Sequence, residues 1–332
     1  MKSLKALVLF CLALVILSGC GGGPPLTINE GSYALKHASS WDNIYRSGQS
    51  DYKYGFYYDW ITDSELEFKI NKPEKIDKYG KLTFGADKQE FNFAIAKNDN
   101  SYIADVYFDR NNDGCITKGE AHKAKILGRE EGKGLTFYNS SLDDLPLYVK
   151  YAKSDGTTVS KIIYVLLEFS YLKLKSGYNY SSDFSPYWLI YKVKSCFSGD
   201  ASINLPEGPK RIKYVLLDGN QNCLFNDYGV DWIIIDKDFD NKFDLAGEMQ
   251  HLVELFDIKD PGDPKKIKTM RLTVFGYPTQ LIVSPADAPA PIPDQYETAE
   301  SDTWKADPVE TPAPSAGTPT ATPAATPAAG SA

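Results

Sequence analysis

Apolar and polar residues alternate over short runs along the middle of the chain. In the run Phe91-Asn92-Phe93-Ala94-Ile95, every second residue is a large apolar one, which is the period of a strand with one buried face. Such runs are rich in aromatic and β-branched residues, and Gly, Pro, Asn and Asp separate them. The pattern predicts strands over 82–84, 91–96, 103–108, 147–151, 162–169, 188–193, 212–217, 232–235, 270–275 and 280–283.

Long stretches with the 3.6-residue period of a helix are scarce in this chain. Only 141–153 and 246–257 allow a short helix. We therefore predict a mostly β, sandwich-like fold with long polar loops between strands. Strands followed by an acidic loop occur in both halves, so the chain forms either two β-rich subdomains, over 31–180 and 181–283, or one continuous sandwich.

The first twenty residues have the pattern of an export signal. Lys2 and Lys5 precede an unbroken apolar run over 6–17, which is shorter than the roughly 20 residues that a membrane-spanning helix needs. The next residues, Leu17-Ser18-Gly19-Cys20, resemble the lipobox of bacterial lipoproteins. This resemblance implies a signal peptide over 1–19, cleavage before the cysteine and attachment of lipid to the Cys20 thiol.

The lipobox also implies where the protein is held. Several acyl chains give a stable membrane anchor, so the membrane itself is the first expected partner. The stretch 20–30 then serves as the lipidated cysteine and a flexible tether. Because Gly21 is not the Asp that often retains lipoproteins in the inner membrane, the resemblance favours the outer membrane or the cell surface.

The other end of the chain, 284–332, is dominated by Pro, Ala and Thr. Such a segment buries too little apolar surface to offset the entropy of ordering, so we predict a disordered tail. The repeated Thr-Pro-Ala units suit O-glycosylation, and an unmodified solvated tail is the equal alternative.

Composition excludes one class of partner and limits disulfide pairing. The formal net charge is −8 and no segment is strongly basic, so we expect no nucleic-acid binding. With Cys20 lipidated, the cysteines of the mature chain that remain are Cys115, Cys196 and Cys223, and this odd number cannot pair completely. A disulfide between Cys196 and Cys223 is the pairing that we favour outside the cytoplasm.

The fullest local motif begins at Asp109, where residues 109–120 read Asp-Arg-Asn-Asn-Asp-Gly-Cys-Ile-Thr-Lys-Gly-Glu. This stretch resembles the twelve-residue calcium loop of EF-hand proteins. The resemblance implies side-chain oxygen ligands at positions 1, 3, 5 and 12, a carbonyl ligand at position 7 and a turn at position 6. Asp109, Asn111, Asp113 and Glu120 stand at positions 1, 3, 5 and 12. Cys115 stands at position 7 and Gly114 at position 6. Ca²⁺ is the expected cofactor.

Two later loops, 218–227 and 236–248, repeat part of this motif. Positions 1, 3 and 5 are Asp218, Asn220 and Asn222 in the second loop and Asp236, Asp238 and Asp240 in the third. An apolar residue stands at position 8 of all three loops: Ile116, Phe225 and Phe243. We therefore predict a second and a third calcium site.

Both later loops depart from the motif at two places. Position 6 is Cys223 or Asn241 where Gly is expected, and Cys, unlike Asn, is not expected to tolerate a positive φ. Neither loop has an acid at position 12. Asp227 or Asp231 is available as a substitute in the second loop, and Glu248 falls one place late in the third.

The residues that flank the loops are typical of strands, whereas a sensor EF-hand has helices there. Tyr214-Val-Leu-Leu precedes the second loop and Trp232-Ile-Ile-Ile separates it from the third. The arrangement resembles calcium loops between strands in uncharacterised bacterial extracytoplasmic proteins. Structural calcium is therefore expected, since extracellular modules bind it at about 10⁻⁴–10⁻³ M.

The sequence leaves three functions open. The first is a binding or adhesion module that is stabilised by calcium and recognises an extracellular glycan or protein. The second is a structural component of the envelope, and the third is an enzyme that acts on extracellular glycan. The chain shows no metalloprotease, serine-hydrolase or phosphate-loop motif, so we predict no catalytic residues.

Overall fold

The computed structural model describes residues 28–40, 55–57, 66–70, 75–153, 156–179, 185–205, 208–243, 245–260 and 263–289. Strands dominate this part of the chain, which confirms the predicted mostly β, sandwich-like fold. The predicted signal peptide, Cys20 and nearly all of the predicted tail lie outside the described residues. The expectations for them therefore stay predictions.

The strands are β1 (Gly31–Ala38), β2 (Gly55–Tyr57), β3 (Glu67–Phe68), β4 (Lys78–Phe84), β5 (Gln89–Lys97), β6 (Ile103–Phe108), β7 (Cys115–Ile116), β8 (Ala121–Lys123), β9 (Lys125–Glu131), β10 (Leu135–Ala152), β11 (Thr158–Leu174), β12 (Tyr187–Val193), β13 (Cys196–Leu205), β14 (Gly208–Leu217), β15 (Trp232–Ile235), β16 (Met249–His251), β17 (Leu255–Asp260), β18 (Asp263–Thr273) and β19 (Gln280–Pro285). A single helical turn, α1 (Leu245–Glu248), precedes β16, and a 3-10 turn covers Lys118–Glu120.

Within the described ranges, these strands form four sheets. The largest has eight strands in the order β16-β15-β14-β13-β1-β19-β18-β17, and the next has five, β2-β12-β11-β10-β9. A third sheet, β4-β5-β6-β8, is also antiparallel. The fourth is the parallel pair of β3 and β7, which sets Glu67 beside Cys115.

One hydrophobic core joins the three larger sheets. Phe93 and Phe108 of the four-stranded sheet lie in it with stacked rings 5.6 Å apart, and Phe93 meets Phe169 of the five-stranded sheet edge-on. Phe197 and Tyr214 bring the eight-stranded sheet into the same core. These side chains are almost fully buried, because alternate residues of each strand point to the interior.

The sheets do not divide at residue 180. Strand β1, from the first half of the chain, lies between β13 and β19, and β12, from the second half, pairs with β11. Each large sheet therefore mixes strands from both halves, as the continuous sandwich requires. The ten predicted strands all fall within observed strands, apart from the last two residues of 270–275.

The prediction that a short helix could form over 141–153 is wrong, because Leu135–Ala152 forms the long strand β10. A β-bulge between Leu142 and Leu145 explains the misleading pattern. The bulge inserts one extra residue into the strand, so two inward-facing leucines are three positions apart, as they would be in a helix. Of the second allowed helix, 246–257, only part of the single turn α1 is helical, and β16 and β17 take most of the rest.

Both predicted flexible ends reach further into the fold than expected. Ile28, assigned to the tether, is fully buried and forms a β-bridge with Ile203. At the other end, β19 continues to Pro285, which lies opposite Met270, so the start of the tail at 284 is corrected to a later position. Pairing with a neighbouring strand orders both segments, and that pairing is not visible in local composition.

Candidate metal sites in three acidic loops

The three predicted loops share one backbone frame. In each, a buried aspartate at position 1 accepts a hydrogen bond from the backbone amide of position 6. This contact folds the chain back on itself within six residues. The pairs are Asp109 with Gly114 at 2.9 Å, Asp218 with Cys223 at 2.6 Å and Asp236 with Asn241 at 3.1 Å.

The side chains at positions 3 and 5 form consecutive turns of the same kind. Position 3 accepts the amide of position 5, as Asn111 does from Asp113 at 3.1 Å, and its counterparts Asn220 and Asp238 do likewise. Position 5 accepts the amide of position 7, as Asp240 does from Lys242 at 2.8 Å, and so do Asp113 and Asn222. These turns direct side-chain oxygens toward the inside of the loop.

Positive φ angles occur at positions 4 and 6 of every loop. The position-6 values are 81° at Gly114, 64° at Cys223 and 63° at Asn241. The expectation that Cys would not tolerate this conformation is therefore wrong at residue 223. The thiol is fully buried in the main core, and we attribute the tolerated strain to that burial together with the amide bond to Asp218.

A buried carboxylate closes each loop by accepting the amide of position 2. In the first loop this carboxylate is that of Glu120, at position 12, which accepts the backbone amide of Arg110 at 2.9 Å. Asp231 takes the same role in the second loop, with Gly219 at 2.8 Å, and Glu248 takes it in the third, with Lys237 at 2.7 Å. All three carboxylates are nearly inaccessible to solvent. A closing carboxylate is thus present in every loop. It stands at position 14 in the second loop and at position 13 in the third.

Asp227, the other candidate of the second loop, has a different role from Asp231. Its Oδ2 accepts the side-chain amides of Asn220 at 2.8 Å and Asn222 at 2.7 Å. The sequence named both aspartates as substitutes for a position-12 acid, and only the packing separates them. Asp227 therefore contacts both asparagines, so three of the predicted side chains of this loop lie together.

The first loop runs from the end of β6 to β8. Ile116 at position 8 is fully buried, which fixes the loop against the small core formed by Ala94 and Tyr107. Burial, with smaller contributions from the carboxylates of Glu120 and Asp113, raises the pKa of Asp109 to about 6, although the backbone amides of Gly114 and Asp113 lower it. The folded protein therefore holds negative charge here at an energetic cost, which a cation would offset.

The second loop lies at the junction of the sheets. The Tyr151 hydroxyl of β10 donates to the carbonyl of Cys223 at 2.6 Å, and the backbone amide of Val193 in β12 donates to Gln221 Oε1 at 2.6 Å. Burial raises the pKa of Asp218 well above its usual value, and it raises the pKa of Asp231 to about 7. The charge of Asp231 also raises the pKa of Asp218, so two buried carboxylates lie close together in this loop.

The third loop brings three carboxylates to one point. Oxygens of Asp236, Asp238 and Asp240 all lie within 4.8 Å of one another, so this cluster can hold a metal ion. Asp236 is 3% exposed, and its Oδ1 has no hydrogen-bond partner among the described residues. The corresponding oxygens of Asp109 and Asp218 each accept a backbone amide. Burial, Asp238 and Asp240 raise the pKa of Asp236.

The predicted disulfide is corrected by the structure. Cys196 belongs to a small cluster with Val215 and Ile234 on one side of the eight-stranded sheet, whereas Cys223 is buried in the main core. No disulfide joins them. Cys115, in β7, is half-buried, and its thiol lies 3.7 Å from Glu67 Oε2.

Fold and loops together define a mostly β, sandwich-like protein with an aspartate cluster able to hold a metal ion. No protein family, no curated protein and no solved structure matches this chain. In the described part of the chain, no helix has the length and apolar character needed to cross a membrane.

Proposed function

We propose that this protein is an exported, lipid-anchored β module of the cell envelope whose three acidic loops bind structural Ca²⁺. In this proposal its role is to bind or adhere to an extracellular ligand. The observation that carries the metal assignment is the buried Asp236 Oδ1. It has no hydrogen-bond donor among the described residues and belongs to the carboxylate cluster of the third loop. A buried carboxylate oxygen is normally paired, and a cation supplies the missing partner.

The choice of calcium follows from the donor set. The loops offer oxygens from Asp, Asn and Glu side chains, and no thiol or imidazole belongs to the cluster of the third loop. Ca²⁺ takes six to eight oxygen ligands at about 2.3–2.6 Å, whereas Zn²⁺ prefers nitrogen and sulfur. Flexible loops with many oxygens also suit Ca²⁺ better than Mg²⁺, which keeps several of its waters.

The structural role follows from the position of the loops. The second loop contacts β10 and β12, and the third follows directly after β15, so a bound ion would cross-link strands that are far apart in sequence. An ion that binds the folded state alone stabilises it by mass action. Export and anchoring rest on the lipobox residues 17–20 and on the apolar run before them.

Calorimetric titration of the full-length protein with CaCl₂, paired with thermal melts in calcium and in chelator, tests the metal proposal. We expect three sites and a higher melting temperature in calcium. Asp236→Asn should remove one site, because it neutralises the buried ligand. Asp87→Asn, at an exposed turn, is the matched control and should bind as the parent does. Identical melts with and without calcium would refute the proposal.

The anchor is tested separately by cell fractionation. Cys20→Ser removes the thiol that would receive the lipid, so the protein should leave the membrane fraction and lose its incorporation of labelled fatty acid. Ser18→Thr, which leaves the cysteine in place, is the control. Retention of unlipidated Cys20→Ser protein in the membrane would contradict the proposed anchor.

A further inference from the structure

A cleft lies on the face of the eight-stranded sheet that points away from the main core. It is formed where β1, β13 and β14 run side by side, and Phe243 of the third loop contributes to its wall. Its volume is about 520 Å³. Small-molecule sites usually have volumes of roughly 300–1,000 Å³, so the cleft has room for a ligand of one or two sugar rings.

The charges along this cleft are unbalanced. Of the described residues that line it, Lys36, Arg211 and Lys213 are basic and Asp200 is acidic. In the described structure none of the three cations has an ion-pair partner, although the chain as a whole carries a net charge of −8. Several lysines elsewhere on the surface have an ion-pair partner, such as Lys175 with Glu131 at 2.7 Å.

Strand geometry brings these cations together. In β14, Arg211 and Lys213 are two residues apart, so they point to the same face, and both are exposed. The alternate residues Ile212 and Tyr214 point to the opposite face and are buried in the main core. Lys36 reaches the same cleft from β1, across β13. The three cations thus lie on the two strands that flank β13, all on one face, and Asp200 of β13, directly opposite Lys213, can offset one of their charges. The remaining positive charges repel one another unless an anion lies between them.

We propose that this cleft binds a sugar-sized organic anion, whose carboxylate or phosphate is held by Lys36, Arg211 and Lys213. The proposal rests on the binding role given above and names the class of ligand. A planar guanidinium forms paired hydrogen bonds with either oxyanion, and the two ammonium groups add charge. The half-exposed Ser198 in the cleft offers a hydroxyl group to a polar ligand.

Calorimetric titration of the full-length protein in calcium tests the cleft. The probes are digalacturonate for the carboxylate, glucose 1-phosphate for the phosphate, and lactose as a neutral probe of similar size. We expect saturable binding of at least one anion, weakened by added salt, and no binding of lactose. The anion that binds more tightly identifies the source of the oxyanion. Equal binding of lactose, or saturable binding of neither anion, would overturn the proposal.

Three variants and one control assign the effect to the cleft. Arg211→Ala and Lys213→Ala should each weaken binding at least about tenfold, because each removes a charge-assisted contact. Asp200→Asn should strengthen it, since a negative charge of the cleft is lost, and a merely structural role does not predict that gain. Lys173→Ala, at an exposed site in β11, should change nothing. Unchanged binding in Arg211→Ala and Lys213→Ala would refute the site.

A calcium titration of the same samples separates this proposal from the one on which it rests. The cleft variants should keep all calcium sites, because the side chains that they change are not among the proposed calcium ligands. Lys213 meets the third loop through its backbone carbonyl, which accepts the amide of Asp236 at 3.0 Å and is kept in Lys213→Ala. Loss of calcium binding in Asp236→Asn with anion binding intact supports both proposals. Anion binding by a protein that binds no calcium would refute the metal proposal and keep the cleft.

Discussion

The carboxylate of Asp231 accepts the backbone amide of Gly219 at 2.8 Å, although the two residues are twelve positions apart. Its other oxygen accepts the amide of Asp227 at 2.7 Å. Gly219 is the second residue of its loop. Glu120 accepts the amide of the second residue in the first loop, and Glu248 does so in the third. Three loops that differ at their closing position thus share one way of closing.

Asp231→Asn should destabilise the protein and impair the second calcium site. A side-chain amide has one acceptor oxygen, so one of the two backbone amides loses its partner, at a cost of about 1–3 kcal/mol. Urea denaturation in chelator measures this cost, and the calcium titration should lose one site. Asp87→Asn serves as the control. A stability equal to that of the parent would show that Asp231 does not close the loop.

The calcium-free protein should become less stable as the pH rises from about 5 to about 7.5. Burial raises the pKa of Asp109 to about 6 and that of Asp231 to about 7, from 3.8 in a model peptide. The folded state therefore binds these protons more tightly than the unfolded chain does. The resulting stabilisation is complete below the unfolded pKa and is lost as the pH rises through 6 and 7.

Thermal melts across this pH range, in calcium-free buffer and in calcium, measure the effect. Calcium should prevent the loss of stability at neutral pH, because the bound ion neutralises the carboxylates that have lost their protons. A melting temperature that rises between pH 5 and pH 7.5 in calcium-free buffer would contradict the assigned burial of these two carboxylates.

The thiols should differ in their reaction with an alkylating reagent. Cys196 and Cys223 are fully buried, and burial raises the pKa of the Cys223 thiol well above its usual value. Cys115 is half-buried at the protein surface. Peptide mass spectrometry should find label on Cys115 in the native protein, and on the other two only after denaturation. A peptide pair cross-linked through Cys196 and Cys223 would show that the two cysteines form a disulfide and would contradict the structure.

Gly80→Ala should destabilise the fold by about 1–3 kcal/mol through overpacking. A Cβ at residue 80 would lie 2.2 Å from Cζ of Phe93, its partner across β4 and β5. Phe93 cannot move away freely, since its ring stacks on Phe108. Gly247→Ala, where no atom lies within 4 Å of the new Cβ, is the control. Urea denaturation compares the two variants, and equal stability would show that Phe93 can shift.

Local spacing alone was enough to predict several features of this protein. The alternation in residues 91–95 predicted β5, because side-chain direction in a strand depends only on the parity of the position. The 1, 3, 5 spacing of Asp236, Asp238 and Asp240 predicted their cluster for a similar reason. Contacts between residues two to five positions apart depend on the local turn, which these residue types form themselves.

Contacts between distant residues were decided by the tertiary structure alone. The sequence could not choose between Asp227 and Asp231, nor separate a bulge at Leu142 from a helical turn, because each outcome depends on which strand lies opposite. The same holds for Ile28, which pairs with Ile203, and for Lys36, which lines the same cleft as Lys213 from the other side of β13. Pairing between strands far apart in sequence is fixed by the packing of the whole core, and no local pattern records it.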